Sequence, residues 1–216
     1  MIQAVIFDMD GVIFDTENLV MKCWKEIGEK YQIEGIEKVA FECIGTTNKK
    51  TEQILKNYYG KDFDYEFYRK ELSDRFMRHV RDEGMPMKPG IVEILEYLKV
   101  NGVKIGLASS TRKIRVEEEL DIASLKQYFD VLICGDMVAK SKPEPDIFLE
   151  CCRQLGANAS ETYVIEDSYN GIRAASRAGM KPIMVPDLLA PTEEMIQLSK
   201  EILHDLHEVK LYFERQ

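Results

Sequence analysis

A chain of 216 residues with 45% hydrophobic and 31% charged side chains has the composition of a globular protein that can bury a sizeable core, which excludes disordered and fibrous classes. The net charge of −9 argues against binding to nucleic acid or to an anionic membrane surface, and no apolar run approaches the roughly 20 residues of a membrane span. The chain start lacks the features of a signal peptide and the five cysteines lack metal-ligand spacing, so we expect a reduced, cytoplasmic protein.

The first predicted element is a strand that ends in two acidic residues. The apolar run Ala4–Phe7 leads into Asp8 and Asp10, and Gly11 then allows the backbone to turn sharply. Because side chains alternate between the faces of a strand, both aspartates would leave it on the same side. Two like charges held so close are unfavourable unless a cation lies between them or the pair serves as an acid–base site. We favour such a site over the solvated turn that an Asp-x-Asp-Gly segment also forms.

A long helical interval separates the first strand from the second. Residues 16–87 show the periodicity of several amphipathic helices, with Trp24 and Ile27 on one apolar face. We expect this interval to be an inserted helical cap domain, and residues 1–15 and 88–216 to form an α/β core domain.

Four later apolar runs predict further strands, which are Lys104–Ala108, Val131–Cys134, Tyr163–Ile165 and Pro182–Val185. Helical periodicity fills most of the intervals, and one helix has Pro89 before it and Asn101 and Gly102 after it. Strands and helices that alternate in this way predict a parallel sheet covered on both faces. The predicted fold class is therefore α/β, a Rossmann-like parallel sheet flanked by helices, with an inserted all-helical cap domain.

Polar residues follow the predicted strands. The segment 109–112 follows the second strand, Lys142 lies before a proline after the third, and Glu166 and Asp167 follow the fourth. Singly, each has an ordinary explanation as a helix cap, a solvated cation or an acidic pair at a helix N-terminus. The carboxyl ends of parallel strands, however, gather at one edge of the sheet. Together with the first two aspartates, these residues predict a site for a divalent cation and an anionic substrate.

This set of groups favours phosphoryl transfer, which needs positioning and charge neutralisation more than covalent machinery. Mg²⁺ would offset the repulsion between a carboxylate nucleophile and a phosphate, while Lys142 and Ser109 would bind other phosphate oxygens. A carboxylate can attack phosphorus to give an aspartyl-phosphate. A second aspartate can protonate the leaving oxygen and later deprotonate water.

Four segments of the chain resemble, in order and spacing, the motifs of the haloacid dehalogenase superfamily, close to its β-phosphoglucomutase-like phosphatases. The segments are Phe7–Val12, Leu107–Ser110, Lys140–Phe148 and Glu166–Ile172. The resemblance implies that Asp8 is the nucleophile and Asp10 the general acid/base. It also implies that Ser109 and Lys142 hold the transferring phosphate.

The same resemblance implies a Mg²⁺ cofactor and a mobile cap. The ion would be bound by Asp8, the carbonyl of Asp10 and Asp167, with Glu166 in support. The helical insertion would close over the site and contribute to specificity. We expect the substrate beyond its phosphate to be contacted by Gly45, Thr46, Lys49, Ser110, Thr111 and Arg112.

Two departures from the mutase pattern favour hydrolysis. Characterised β-phosphoglucomutases carry a histidine in the first cap helix, where the segment Asp15–Trp24 has none, and an arginine shortly after the glycine that matches Gly45, where this chain has Lys49 and Lys50. We therefore expect a monomeric, Mg²⁺-dependent phosphatase that hydrolyses a small phosphorylated metabolite such as a sugar phosphate. A phosphosugar mutase and a non-catalytic phospholigand-binding module remain the alternatives.

Overall fold

The computed structural model describes residues 2–216, and six strands in that range form one parallel sheet in the order β3-β2-β1-β4-β5-β6. The strands are β1 Ala4–Phe7, β2 Lys104–Ser109, β3 Val131–Cys134, β4 Thr162–Glu166, β5 Lys181–Met184 and β6 Glu201–Ile202. The first five match the predicted runs to within one residue at either end. Strand β6 has no counterpart in the prediction, because two half-buried residues are too few to show a periodicity.

The register of the central strands brings their carboxyl ends to the same level. Phe7 of β1 pairs with Leu107 of β2 on one side and with Ile165 of β4 on the other. Asp8 and Glu166 follow these paired residues directly, so both emerge at the same edge of the sheet. Strand β1 is buried along its whole length, which explains why its sequence is apolar throughout and does not alternate.

The helices are α1 Thr16–Tyr31, α2 Ile36–Phe41, α3 Asn48–Tyr59, α4 Tyr65–Glu83, α5 Ile91–Val100, α6 Lys113–Ile122, α7 Asp146–Leu155, α8 Tyr169–Arg177, α9 Glu193–Leu198 and α10 Leu206–Glu214. Short 3-10 turns occupy Lys126–Tyr128, Gly135–Met137 and Ala159–Glu161. Among residues 2–216, none of these helices combines the length and the apolar character that crossing a membrane requires.

The chain divides into two compact units. The α/β unit comprises the chain up to Asp15 together with Met87–Gln216, and the helical unit comprises Thr16–Pro86. All six strands belong to the first unit, and helices α1–α4 make up the second. This architecture confirms the predicted fold class, a parallel sheet flanked by helices with an all-helical insertion.

The core of the α/β unit forms where α7 and α8 pack against the sheet. Ile6, Val164 and Phe148 belong to one buried apolar cluster there. Helix α7 approaches β2 so closely that a Cβ on Gly106 would lie 2.5 Å from the Sγ of Cys151. Cys151 is a buried free thiol that packs within this apolar cluster.

The helical unit has a separate apolar core. Trp24 and Ile27 of α1, Leu55 of α3 and Tyr65 of α4 are buried together in it. The first two are the residues that the helical periodicity placed on an apolar face, so this prediction is confirmed. Burial of these faces against one another stabilises short helices that would be marginal alone.

Candidate active site

Lys142 joins the carboxyl ends of three neighbouring strands. Its ammonium group donates hydrogen bonds to Asp8 Oδ1 after β1, to the carbonyl of Ala108 in β2 at 3.1 Å, and to Glu166 Oε1 at the end of β4 at 2.6 Å. The Nζ atom also lies 4.8 Å from the centre of the Phe148 ring. An ammonium has three N–H donors, so the three acceptors use all of them. The lysine side chain is thereby held rigidly at the edge of the sheet, with 6% of its surface exposed.

The carboxyl group of Asp8 carries the strongest electrostatic perturbation of the edge. Burial raises the pKa of Asp8 to about 8, with Lys142 acting in the opposite direction and the charges of Glu166 and Asp10 adding to the rise. Burial alone would lower the pKa of Lys142, but the carboxylates of Asp8 and Glu166 hold it above its ordinary value. The edge therefore holds more negative charge than its lysine balances, and it would attract a cation.

Glu166 is built into the edge as a fixed support. It is fully buried, and its two oxygens have different partners: Lys142 donates to Oε1, while the backbone N–H and hydroxyl of Ser168 donate to Oε2 at 2.7 and 2.9 Å. A Cβ on Gly171 would lie 1.7 Å from Glu166 Oε1, so only glycine fits at that place in α8. The carboxylate thus ties the lysine to the loop that carries Asp167.

Asp10 and Asp167 both lie near the Gly11 turn that follows β1. The Thr111 hydroxyl donates to Asp10 Oδ2 at 3.0 Å. Gly11 has a positive φ of 81°, and a Cβ there would lie 2.5 Å from Asp167 Oδ2. Glycine is therefore required at this turn both by the backbone conformation and by the close approach of the Asp167 carboxylate.

The segment after β2 is held in a defined conformation. Ser109 is fully buried, and its Oγ accepts a hydrogen bond from the Thr111 N–H at 3.0 Å. The Gly135 N–H donates to the Thr111 carbonyl at 3.0 Å, which ties the segment to the end of β3. Ser110 and Arg112 are exposed, and Arg112 occupies the residue before the first turn of α6.

The remaining predicted substrate contacts belong to the helical unit. Gly45, Thr46 and Lys49 are exposed and lie at the loop that precedes α3 and in the first turn of that helix. The Thr46 hydroxyl donates to the Cys43 carbonyl at 2.7 Å and lies 2.9 Å from the Thr51 hydroxyl. These bonds are local to the loop, so a role in substrate binding stays a prediction.

The edge of the sheet gathers most of the residues that the sequence singled out, which are Asp8, Asp10, Ser109, Thr111, Lys142, Glu166 and Asp167. Sequence reasoning missed the supporting roles of Ser168 and Gly171. The signal for them was present, because a serine followed three residues later by a glycine directly after an acidic pair marks a tightly capped helix start.

The oxygen-rich edge fits a hard cation such as Mg²⁺. Within residues 2–216, no three or more His, Cys, Asp or Glu side chains form a ready-made metal cluster. Mg²⁺ needs fewer protein ligands than that, since it usually keeps several waters. Asp8, the Asp10 carbonyl and Asp167 supply oxygen donors beside the Gly11 turn, where the surplus negative charge lies. Glu166 has both oxygens engaged and fits a supporting role only.

Comparisons with known proteins show the family and the fold of the chain. Residues 5–185 match the model of the haloacid dehalogenase-like hydrolases. A phosphorylated carbohydrates phosphatase of Thermotoga maritima is 32% identical over 216 residues, covering 93% of this chain and 100% of the relative. A beta-phosphoglucomutase of Bacillus subtilis is 30% identical over 219 residues, covering 94% of each. The crystal structure of a mutant CbbY from Rhodobacter sphaeroides in complex with xylulose-(1,5)bisphosphate has a TM-score of 0.77 and 25% identity, covering 96% of each chain.

Proposed function

We propose that the chain, which belongs to the haloacid dehalogenase-like hydrolases, is a phosphatase that hydrolyses a small phosphomonoester, such as a sugar phosphate, through an aspartyl-phosphate on Asp8. The observation that supports this proposal is the contact of Lys142 with Asp8 and Glu166, which lie at the carboxyl ends of the neighbouring strands β1 and β4. The proposed nucleophile is in direct contact there with the lysine whose charge would offset that of the phosphoryl group.

In this proposal Asp8 attacks the phosphorus atom. Because Lys142 holds Oδ1 of the carboxylate, we assign the attack to the other oxygen. The positive charge of Lys142 favours the ionised form that the attack requires and offsets the negative charge of the incoming phosphoryl group. Ser109, buried at the end of β2, would donate its hydroxyl to a second phosphate oxygen.

Asp10 moves the protons. As the bond between phosphorus and the leaving oxygen breaks, the protonated Asp10 carboxyl gives its proton to that oxygen. In the second step the same carboxylate takes a proton from the water that attacks the aspartyl-phosphate, and the bond between phosphorus and the Asp8 oxygen breaks to release phosphate and the free Asp8 carboxylate. Asp8, the Asp10 carbonyl and Asp167 would hold Mg²⁺, which when bound would offset the repulsion between carboxylates and phosphate.

We assign specificity to the helical unit, acting as the cap of the family. Its exposed loop with Gly45, Thr46 and Lys49 would contact the part of the substrate beyond the phosphate, together with Ser110 and Arg112 of the α/β unit. A cap that closes during turnover would exclude bulk water and complete the site.

A phosphosugar mutase is the second candidate, favoured by the 30% identity with the Bacillus subtilis beta-phosphoglucomutase. The absence of a histidine from the Asp15–Trp24 segment and of an arginine from the positions after Gly45 argues against it. Lys49 could replace the charge of that arginine but not its bidentate geometry.

A substrate panel distinguishes the candidates. The purified chain with MgCl₂ is assayed for phosphate release from sugar phosphates, nucleotides, phosphoglycolate and p-nitrophenyl phosphate, and for glucose 6-phosphate formed from β-glucose 1-phosphate with a bisphosphate primer. We expect phosphate release by the wild type, none by Asp8→Asn, and an unchanged rate for Asp121→Asn, which alters an exposed acid of α6. Glucose 6-phosphate formed faster than phosphate would identify a mutase. Phosphomonoester binding without turnover would identify a binding module.

A further inference from the structure

We propose that Phe148 is a positioning residue for Lys142: its ring holds the ammonium group at the edge of the sheet while one N–H of that group turns from the protein to the phosphate. The centre of the ring lies 4.8 Å from Lys142 Nζ, within the distance at which an aromatic ring attracts a cation. This inference rests on the proposed function, since it concerns the lysine that would bind the transferring phosphate.

All three N–H donors of Lys142 already have acceptors. The ammonium group donates to Asp8 Oδ1, to the Ala108 carbonyl and to Glu166 Oε1. Because an ammonium has only three N–H groups, a hydrogen bond to a phosphate oxygen requires that one of these bonds be given up. The proposed function therefore implies an exchange of partners at Nζ whenever a phosphate binds.

The bond to Ala108 costs least to exchange. Its acceptor is an uncharged carbonyl at 3.1 Å, whereas the other two acceptors are carboxylates that attract the ammonium as opposite charges. Asp8 and Glu166 are both buried, and a buried carboxylate left without its cation is strongly destabilising. We therefore assign to the phosphate the N–H that the Ala108 carbonyl accepts.

The ring of Phe148 can hold the ammonium during this exchange because it uses no N–H donor. Its attraction for the charge persists whichever oxygens accept the hydrogen bonds, and it is stronger where the cation is shielded from water, as Lys142 is with 6% of its side chain exposed. Phe148 is fully buried in the first turn of α7, within the apolar cluster that includes Val164. Its N–H donates to the Pro145 carbonyl at 3.1 Å. The ring is therefore a fixed partner of the lysine.

The test alters the electron density of the ring and leaves its shape almost unchanged. Mono-, di- and trifluorinated phenylalanine are incorporated in place of Phe148, because fluorine draws electron density from the face of the ring and weakens its attraction for a cation. We expect kcat/KM to fall in steps, to about tenfold below the wild type with three fluorines, without a matching fall in melting temperature. Phe148→Leu, which removes the ring, should lower kcat/KM about 30-fold. If the leucine variant fails to fold, the fluorinated series decides alone.

The loss should be the same for every substrate, because Lys142 would bind the phosphate that all of them share. The value of kcat/KM should fall by equal factors for a sugar phosphate and for p-nitrophenyl phosphate, and inorganic phosphate should inhibit more weakly. The matched control is the same fluorinated series at Phe213, a buried ring of α10, which should leave kcat/KM unchanged.

A crystal structure with bound inorganic phosphate tests the exchange of partners directly. It should show Lys142 Nζ donating to a phosphate oxygen, with the bond to the Ala108 carbonyl lengthened or lost. The distance from Nζ to the centre of the Phe148 ring should stay as it is without phosphate.

Activity that does not respond to fluorination of Phe148, losses that differ between the two substrates, an equal response at Phe213, or an ammonium that leaves the ring when phosphate binds would each overturn the inference while leaving the phosphatase proposal intact. Failure of the wild type to hydrolyse any phosphomonoester, or hydrolysis by Asp8→Asn at the wild-type rate, would overturn both together.

Discussion

Each unit of the molecule contains a cluster of charged side chains, and the two clusters differ in charge balance. In the helical unit, a charged seam between α1 and α4 is composed of Lys22, Lys30, Arg75, His79, Glu26, Glu71 and Glu83. At the sheet edge of the α/β unit, by contrast, Lys142 contacts Asp8 and Glu166, and Asp10 and Asp167 lie beside Asp8 at the Gly11 turn. The seam has a cation for each carboxylate, while the edge has a surplus of carboxylates.

His79 shows how the charged side chains of the seam are paired with one another. His79 Nδ1 lies 2.9 Å from Glu83 and Nε2 lies 2.8 Å from Glu26, and hydrogen bonds to these two carboxylates raise the pKa of His79. This network pairs acidic with basic side chains and joins helices α1 and α4. The edge, where burial and like charges raise the pKa of Asp8, is incomplete without further positive charge. A cluster with surplus negative charge is the better candidate for function, because a bound ligand or ion can supply the missing positive charge.

The largest expected effect comes from removing the lysine of the unbalanced cluster. Lys142→Met leaves the carboxylates of Asp8 and Glu166 buried without their cation. We expect phosphatase activity to fall more than about 10³-fold and the free energy of unfolding to fall by about 3–5 kcal/mol, as measured by urea unfolding at pH 8. Lys61→Met, which changes an exposed lysine of the helical unit, should alter the free energy of unfolding by less than about 0.5 kcal/mol. Equal stability of the two variants would mean that the edge does not depend on Lys142.

Metal removal is the next test, because of the two clusters only the carboxylate-rich sheet edge has surplus negative charge that a cation would offset. Excess EDTA should abolish phosphate release, and added Mg²⁺ should restore it. Ca²⁺ should inhibit, because its larger and looser coordination would not hold the nucleophile and phosphate in line. Unfolding of the helical unit, followed by the fluorescence of Trp24, should be the same with and without EDTA. Full activity in EDTA would rule out the metal part of the proposal.

Two glycines, one in each unit, allow the same substitution to be compared. A Cβ on Gly171 would lie 1.7 Å from Glu166 Oε1, and a Cβ on Gly28 of α1 would lie 2.4 Å from Ile36 Cγ2. We expect Gly171→Ala and Gly28→Ala each to lower the free energy of unfolding by about 1–3 kcal/mol through overpacking. Only Gly171→Ala should also lower kcat for p-nitrophenyl phosphate, because it displaces the carboxylate that holds Lys142. A similar loss of kcat in Gly28→Ala would contradict the assignment of Glu166 as the support.

The sequence predicts these two regions unequally well, for physical reasons. The buried strands are apolar runs between turn residues, and the parallel topology that they imply is enough to place Asp8, Lys142 and Glu166 at one edge. The bond from Thr111 to Asp10 depends on how two distant segments pack, which no local pattern records. The exposed loop before α3 has only local bonds, so neither its sequence nor its conformation defines a ligand.

Glu119, a buried acid that is not among the candidate site residues, allows a test of unpaired negative charge through the pH dependence of stability. Glu119 of α6 is buried, its Oε2 has no hydrogen-bond partner among residues 2–216, and its Oε1 lies 3.7 Å from Arg115 Nε. Burial, with a contribution from the charge of Asp10, raises the pKa of Glu119 to about 7 from an ordinary value of 4.5. At pH values between 4.5 and about 7, Glu119 is ionised in the unfolded chain but keeps its proton in the folded chain. Rising pH therefore favours unfolding in this window, and the loss is complete above the folded pKa.

Glu119→Gln removes this titration. We expect the variant to be more stable than the wild type by about 2 kcal/mol at pH 8 and equal to it within about 0.5 kcal/mol at pH 4, in urea unfolding followed by circular dichroism. Glu118→Gln, at the exposed neighbouring position, should show the same small difference at both pH values. A stability gain for Glu119→Gln that does not depend on pH would point to packing and not to charge.

The smallest effect is expected where the helical unit would contact the substrate. Lys49 is exposed at the start of α3, and Arg112 is exposed before α6 in the α/β unit. If both contact the substrate beyond its phosphate, Lys49→Gln and Arg112→Gln should each lower kcat/KM for the preferred sugar phosphate about tenfold, which is about 1.4 kcal/mol. Each should change kcat/KM for p-nitrophenyl phosphate less than about twofold, because that substrate offers the cap little to bind. Lys61→Gln, an exposed control in the helical unit, should change neither. Equal losses on both substrates would instead mean that the two charges attract phosphate in general. Lys49, and with it the helical unit, would then have no shown role in selecting the substrate.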